Sequence, residues 1–103
     1  DPALGRAGVR ALLTRELVLR RQLEALLRAS AEGELRIAVP FVCDVAELRR
    51  VKECLFEERL ELRTRGVPHA ARTQIGAIIE TPAALLGARD IAREADFLVV
   101  GLD

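Results

Sequence analysis

The sequence predicts an α/β fold in which three parallel strands alternate with three helices. Short segments rich in branched apolar residues lie at 35–39, 75–79 and 97–100, and stretches with helical periodicity separate them. Each separation is long enough for a helix, which a hairpin would not need. Because crossovers of this kind are right-handed, the strands are predicted to be parallel neighbours in sequential order, with helices covering one face.

The central stretch is QIGAIIETPAA, residues 74–84. Its apolar part, 75–79, contains no charge and leads directly into Glu80, after which Thr81 can cap a helix and Pro82 suits the first helical position. Glu80 is therefore predicted at the C-terminal end of a buried parallel strand. Chemistry is placed at that edge in α/β sheets and barrels, so Glu80 is a candidate metal-binding or catalytic residue. The alternative is an acid favoured there by the dipole of the following helix.

A loop and a long helix are predicted before the first strand. Residues 1–10 contain Pro2, Gly5 and Gly8, which is typical of a loop. The helix is predicted over Thr14 to Ala31, and its arginine-rich side is expected to be solvated. The leucines that recur at helical spacing in it are Leu19, Leu23, Leu26 and Leu27.

The second predicted helix begins with a capping box of Asp44 and Glu47 and ends at Gly66. Its charged residues between Glu57 and Arg63 are expected to point into water. The third helix is predicted over 82–92. The apolar residues that share one face of the second helix are Leu48, Val51, Leu55 and Leu62.

The composition excludes several classes of function. A chain of 103 residues, half of them hydrophobic, can form one small domain. Lys plus Arg and Asp plus Glu both number 16, so no global basic surface favours nucleic acid. No apolar run approaches the ~20 residues of a membrane helix, and no signal-peptide pattern is present. We expect a cytoplasmic protein without membrane insertion, and a piece of a longer chain because it starts without Met.

Two cysteines and one histidine are the candidate reactive groups. A disulfide between Cys43 and Cys54 is disfavoured inside the cell, and two cysteines are too few for a zinc site. Both are expected to be inert thiols. His69, in the crossing to the central strand, is expected to be an exposed loop side chain.

Residues 75–101, IGAIIETPAALLGARDIAREADFLVVG, resemble the metal-binding segment of the phosphoenolpyruvate-utilising enzymes, roughly IG-x-MIETPAA followed by a helix and an evDFFSIGTNDLTQ strand. Within that family, residues 20–52, which include QLEALLRAS, are most similar to enzyme I of the bacterial phosphoenolpyruvate sugar phosphotransferase system. The similarity covers nearly all of the chain. It implies that 1–103 is part of a C-terminal (β/α)8 TIM-barrel domain, because a closed barrel needs about eight strands and ~250 residues.

Two acids at the ends of adjacent parallel strands can share Mg²⁺, which prefers one or two carboxylates plus water and substrate oxygens. The resemblance implies that Glu80 is the first metal ligand. In the family the next strand runs into GTNDLTQ, whose Asp also binds Mg²⁺ and whose Asn meets the phosphate. Aligned through Gly101, Asp103 falls on that Asn and is therefore a candidate substrate-binding residue, whereas Leu102 replaces the Thr.

The first ten residues are similar to a family loop written NPxLGxRGxR. Arg10 matches its second arginine and is a candidate substrate-binding residue. Ala7 stands in the place of the first arginine, which contacts the substrate phosphate in the family. The catalytic cysteine of the family belongs to a later motif, so no catalytic residue is expected in this chain.

The resemblance implies a parent enzyme that passes the phosphoryl group of phosphoenolpyruvate to its own histidine. A histidine phosphocarrier protein then accepts it for sugar uptake. The chain alone is expected to be inactive. The alternatives are a degenerate barrel for dimerisation or regulation, favoured by Ala7, Leu102 and Asp103, and a piece of pyruvate phosphate dikinase or phosphoenolpyruvate synthase.

Unpaired strand edges also predict self-association, as a homodimer, which a concentration-dependent mass in sedimentation would reveal.

Overall fold

Helices and strands alternate along the computed structural model, which describes residues 2–40, 45–80 and 88–101, with the side chains of 2–12 and Ala88 excepted. The described elements are α1 (Pro2–Ala29), β1 (Glu34–Pro40), α2 (Val45–Thr64), β2 (Arg72–Ile79), α3 (Ala88–Glu94) and β3 (Phe97–Val100). Asp44 and the first part of the third predicted helix lie outside the described residues.

The three strands form one parallel sheet in the order β1-β2-β3. Glu34 lies opposite Arg72 at one end of the first pair, and Ile79 lies opposite Val100 at the far end of the second pair. The predicted order and direction of the strands are confirmed. β2 begins three residues earlier than the predicted 75, because Arg72 to Gln74 continue the ladder with β1.

The core lies between the helices and one face of the sheet. Alternate residues of the strands point to this face, as the period of two requires. One contiguous cluster of buried residues joins all three helices to the sheet, and each fully buried leucine or isoleucine contributes about 1.5–3 kcal/mol. Its members are Leu23 and Leu27 of α1, Leu35 of β1, Leu48, Cys54, Leu55 and Leu62 of α2, Ala70, Ile75 and Ala77 in and before β2, and Ile91 of α3.

The loop prediction for residues 1–10 is wrong, because α1 already begins at Pro2. Proline costs nothing at the first helical position, where its missing N–H would have had no partner. Gly5 and Gly8 each disfavour a helix by about 1 kcal/mol relative to alanine. The strong helix formers around them, Ala, Leu and Arg, outweigh that cost because the helix continues without interruption to Ala29.

α2 ends as the sequence predicts. Gly66 has a φ of 69°, the left-handed conformation that favours glycine. The Val67 N–H then donates to the Leu62 carbonyl at 2.9 Å, and the Gly66 N–H donates to the Arg63 carbonyl at 3.1 Å. These bonds satisfy carbonyls that the helix end leaves free.

The charged faces of α1 and α2 form ion pairs with each other. This corrects the expectation that both faces are solvated. Arg20 of α1 donates to Glu57 at 2.7 Å and to Glu58 at 3.3 Å, both on α2. In the opposite direction, Arg50 of α2 pairs with Glu16 of α1. Glu16 also accepts a hydrogen bond from Arg20 at 3.1 Å, and its bonds from Arg50 and Arg20 lower the pKa of its carboxyl. Single exposed pairs contribute little, but several together align the two helices.

Arg59 is a second charged residue of α2 with a structural role. Its guanidinium donates to Thr73 Oγ1 at 3.1 Å and to the Ala71 carbonyl at 2.9 Å. The expectation that it points into water is therefore wrong. The two bonds tie α2 to the beginning of β2.

We predict that Gly76→Ala destabilises the chain. A Cβ at this buried position would lie 2.3 Å from ring carbons Cδ2 and Cε2 of Phe97, so β3 or the ring must shift. Overpacking of this kind costs about 1–3 kcal/mol in the free energy of unfolding. Urea unfolding monitored by circular dichroism measures the change.

Gly33→Ala is the matched control, because a Cβ there meets no atom within 4 Å. Its unfolding midpoint should stay close to that of the wild type. Equal midpoints for Gly76→Ala and the wild type would contradict the packing of Phe97 over Gly76.

Candidate functional site

β2 and β3 end side by side. Ile79 lies opposite Val100, and the Gly101 N–H donates to the Ile79 carbonyl at 3.0 Å, one residue beyond the ladder. The residues that follow the two strands, Glu80 and Gly101, are both exposed. A Cβ built on Gly101 would lie 3.5 Å from Glu80 Cγ, so the Glu80 side chain lies against Gly101.

The Glu80 carboxylate has no hydrogen bond or ion pair among the described residues. An exposed, unpaired carboxylate held at the end of a central strand can accept a cation or a ligand group. The structure thus places Glu80 where the sequence predicts it. Residues 81–87 lie outside the described part, and with them the predicted beginning of the helix whose dipole is the alternative explanation.

The other predicted site residues are described only in part. Arg10 belongs to α1, but its side chain lies outside the described part of the chain, and so do Leu102 and Asp103. The C-terminal part of α1 contacts the residues that precede β2, where the Ala70 N–H donates to the Leu27 carbonyl at 2.9 Å. The N-terminal part of α1, which contains Arg10, therefore extends in the direction of the strand ends.

The described donor group at this edge is the Glu80 carboxylate. No group of three His, Cys, Asp or Glu side chains that could hold a metal occurs within the described ranges. Mg²⁺ takes one or two carboxylates and completes its shell with water and substrate oxygens, and a single carboxylate can belong to such a ligand set.

Cys54 and His69 differ in how they match expectation. Cys54 is fully buried in the core, and burial raises the pKa of its thiol, as expected for an inert group. Cys43 lies outside the described residues. His69 is half-buried, which corrects its assignment as an exposed side chain, and its Nδ1 lies 2.8 Å from the Val67 carbonyl oxygen. That oxygen can only accept, so Nδ1 carries the proton in this contact.

Asp96 is a residue whose role the sequence did not reveal. Its carboxylate accepts a hydrogen bond from the Ile75 N–H at 2.7 Å, and its own N–H donates to the Ile75 carbonyl at 2.7 Å. Asp96 thus extends the pairing of β2 and β3 by one residue before β3 begins. The only signal in the sequence is an aspartate directly before a strand.

The C-terminal end of α3 is held by α2. Lys52 Nζ donates to the Glu94 carbonyl oxygen at 2.8 Å, and Arg49 Nε donates to the Glu94 carboxylate at 2.9 Å. The hydrogen bond from Arg49 lowers the pKa of the Glu94 carboxyl. No helix within the described residues has the length and apolar character needed to cross a membrane.

An acid at the joint end of two parallel strands, with helices on one face of the sheet, defines this chain as an α/β protein built like consecutive units of a barrel. All residues, 1–103, match the family model described as PEP-utilising enzyme, PEP-binding domain. The chain belongs to this family of phosphoenolpyruvate-utilising enzymes, which confirms the resemblance.

Several curated relatives carry the name phosphoenolpyruvate-protein phosphotransferase. The chain is 42% identical to that of Lactococcus lactis subsp. lactis over 103 residues, 40% identical to that of Latilactobacillus sakei over 101 residues, and 38% identical to that of Haemophilus influenzae over 101 residues. Each match covers 98% of this chain and 18% of the relative. The chain thus spans less than a fifth of the length of these relatives.

We predict that Glu94→Gln lowers the melting temperature at pH 7. A carboxyl whose folded pKa is depressed contributes stability above its unfolded pKa, and this contribution disappears as the pH falls through the folded pKa. The difference between Glu94→Gln and wild type should therefore shrink below about pH 4, the usual glutamate range. Melting curves followed by circular dichroism at several pH values measure it.

Glu80→Gln is the control, because its carboxylate has no described partner to lose. Its melting temperature should equal that of the wild type at each pH. The same loss in both variants, or a difference for Glu94→Gln that does not change with pH, would contradict the ion pairs at the end of α3.

Proposed function

We propose that this chain is part of a phosphoenolpyruvate-protein phosphotransferase of the enzyme I type. The parent would transfer the phosphoryl group of phosphoenolpyruvate to a histidine outside this chain and then to a histidine phosphocarrier protein for sugar uptake. The observation that carries the proposal is the free Glu80 carboxylate at the joint end of β2 and β3, in a chain that matches the family along its whole length.

Glu80 would hold Mg²⁺ together with substrate oxygens. The ion would neutralise charge on the phosphoryl oxygens, and charge neutralisation with positioning supplies most of the catalysis of phosphoryl transfer. The chain's own contribution is to place the Glu80 backbone at the joint end of the two strands. The hydrogen bond from Gly101 to Ile79 holds the two strand ends together, and the missing side chain of Gly101 leaves room beside Glu80 Cγ.

Arg10 and Asp103 are proposed to face the substrate. A guanidinium at the N-terminal part of α1 would meet the phosphate or carboxylate of phosphoenolpyruvate. Asp103 follows β3 two residues after Gly101 and would reach the same edge. An acid there repels a phosphate unless a cation lies between them, so its role would depend on the metal.

Three residues support a second candidate function. Ala7 can offer neither the charge nor the fork of an arginine, Leu102 lacks a hydroxyl, and Asp103 carries a charge where the family has an amide. A degenerate barrel that serves dimerisation or regulation would tolerate all three. A piece of pyruvate phosphate dikinase or phosphoenolpyruvate synthase is the remaining alternative, which QLEALLRAS disfavours.

We also propose a cytoplasmic, homodimeric parent. The outer edges of β1 and β3 have no strand paired to them among the described residues. The apolar side chains of β3 are partly exposed, with Leu98, Val99 and Val100 at 39%, 42% and 53%. Edges of this kind tend to pair with further strands, from the parent or from another copy.

The chain alone should bind phosphoenolpyruvate with Mg²⁺ no better than millimolar, about 4 kcal/mol. A single described carboxylate leaves the cation better solvated by water, and Ala7 removes a phosphate anchor. Isothermal titration calorimetry with and without Mg²⁺ measures the affinity, with Glu80→Ala as the variant and Glu53→Ala, an exposed acid of α2, as its control.

Micromolar binding that Glu80→Ala abolishes and Glu53→Ala preserves would show a complete site and contradict the predicted weakness. Binding that neither variant affects would contradict the role proposed for Glu80.

A further inference from the structure

The sheet edge opposite Glu80 carries a cationic cavity that the proposed function does not use. α3 ends at Glu94, whose partners on the longer α2 are Arg49 and Lys52. The next turns of α2 are therefore uncovered on this side, and Phe56 and Leu60 are 66% and 52% exposed. β2, with eight residues at about 3.3 Å each, separates this cavity from the Glu80 edge by roughly 25 Å.

Five residues line the cavity, which has a volume of about 120 Å³: Phe56, Arg59, Leu60, Arg63 and His69. The four residues from α2 share one face of the helix because of their spacing. None of the five is acidic, although the chain has a net charge of zero. The cavity therefore combines an apolar surface with a local excess of positive charge.

Two acids of α2 near the cavity are paired elsewhere. Glu57 and Glu58 pair with Arg20 on α1, on another side of the helix. Asp96 lines the adjoining cavity, but its carboxylate accepts the Ile75 N–H. The ion pairs between α1 and α2 thus leave the arginines on the cavity side without an acidic partner.

Both arginines of the cavity retain donors for a ligand. Arg59 uses its guanidinium for Thr73 Oγ1 and the Ala71 carbonyl and has further N–H groups. Arg63 makes no hydrogen bond or ion pair among the described residues. His69 donates its Nδ1 proton to the Val67 carbonyl, so its Nε2 is an acceptor, which can receive a hydrogen bond from a protonated phosphate oxygen.

The geometry points to a binding site for a small anion that carries an apolar group. A phosphate or carboxylate would lie between Arg59 and Arg63, and an aromatic or branched group would pack on Phe56. A volume of about 120 Å³ holds roughly four waters, enough for one of these two groups. The second group has space in the adjoining cavity of about 230 Å³, which shares Phe56 and Arg59 and is also lined by Leu55 and Ile75.

The test is a titration of the ¹⁵N-labelled chain with phenyl phosphate in the absence of Mg²⁺, followed by amide chemical shifts. We expect the amide chemical shifts of Leu60, Arg63 and His69 to change with ligand concentration and to approach saturation by about 10 mM, which is the weak-binding range. Inorganic phosphate should move the same amides with lower affinity. Benzoate distinguishes a carboxylate from a phosphate ligand.

Arg63→Gln should weaken phenyl phosphate binding about tenfold, as expected for one charge-assisted hydrogen bond. Arg21→Gln, at an exposed position of α1, is the matched control and should not change the affinity. Phe56→Ala should lower the affinity for phenyl phosphate to that for inorganic phosphate. Both cavity positions are exposed, so unchanged melting temperatures should show that the variants fold.

Three results would overturn the proposal. The first is the absence of shifts at the cavity amides up to about 10 mM. The second is an equal loss of affinity in Arg63→Gln and Arg21→Gln. The third is a change in the affinity for phenyl phosphate in Glu80→Gln, which would place the anion at the strand ends instead.

Discussion

The hydrogen bonds on both edges of β2 position the sheet, the core and the candidate site. β1 pairs with β2 along its whole length, from Glu34 to Pro40, and β3 pairs with the last four residues of β2. Asp96 adds a further bond in each direction to Ile75. A shift of one residue would turn Ile75 and Ala77 away from the helices, since side chains alternate along a strand. The register therefore fixes the buried set and the position of Glu80 together.

The charged residues of α2 contact α1, α3 and the beginning of β2. One side pairs with α1 through Arg20 and Glu16, and Arg59 ties the helix to the beginning of β2. Near its middle, Lys52 holds the end of α3. The remaining arginine, Arg63, lies beside Phe56 and His69 in the cavity. The same arrangement that packs the helices thus leaves one cationic, partly apolar surface at the edge opposite Glu80.

The sequence predicts those features that depend on local pattern. The strands at 75–79 and 97–100, the end of α2 at Gly66 and the position of Glu80 all follow from short runs of residue types. The loop assigned to residues 1–10 failed because two glycines and a proline do not outweigh a continuous run of helix formers. Arg20, Arg59 and Asp96 could not be predicted, because their partners lie on elements distant in sequence. Arg10 and Asp103 remain predictions as substrate-binding residues.

The central claim is that Glu80 serves phosphoryl transfer, and the complete protein that contains this chain tests it most directly. The measurement is the rate at which labelled phosphoenolpyruvate phosphorylates the full-length protein and its phosphocarrier, in wild type, Glu80→Gln and Glu94→Gln. Loss of an electrostatic group at the reacting centre costs about 100-fold or more. The account predicts such a loss for Glu80→Gln with Mg²⁺ present and a rate close to wild type for Glu94→Gln. A wild-type rate in Glu80→Gln would contradict it.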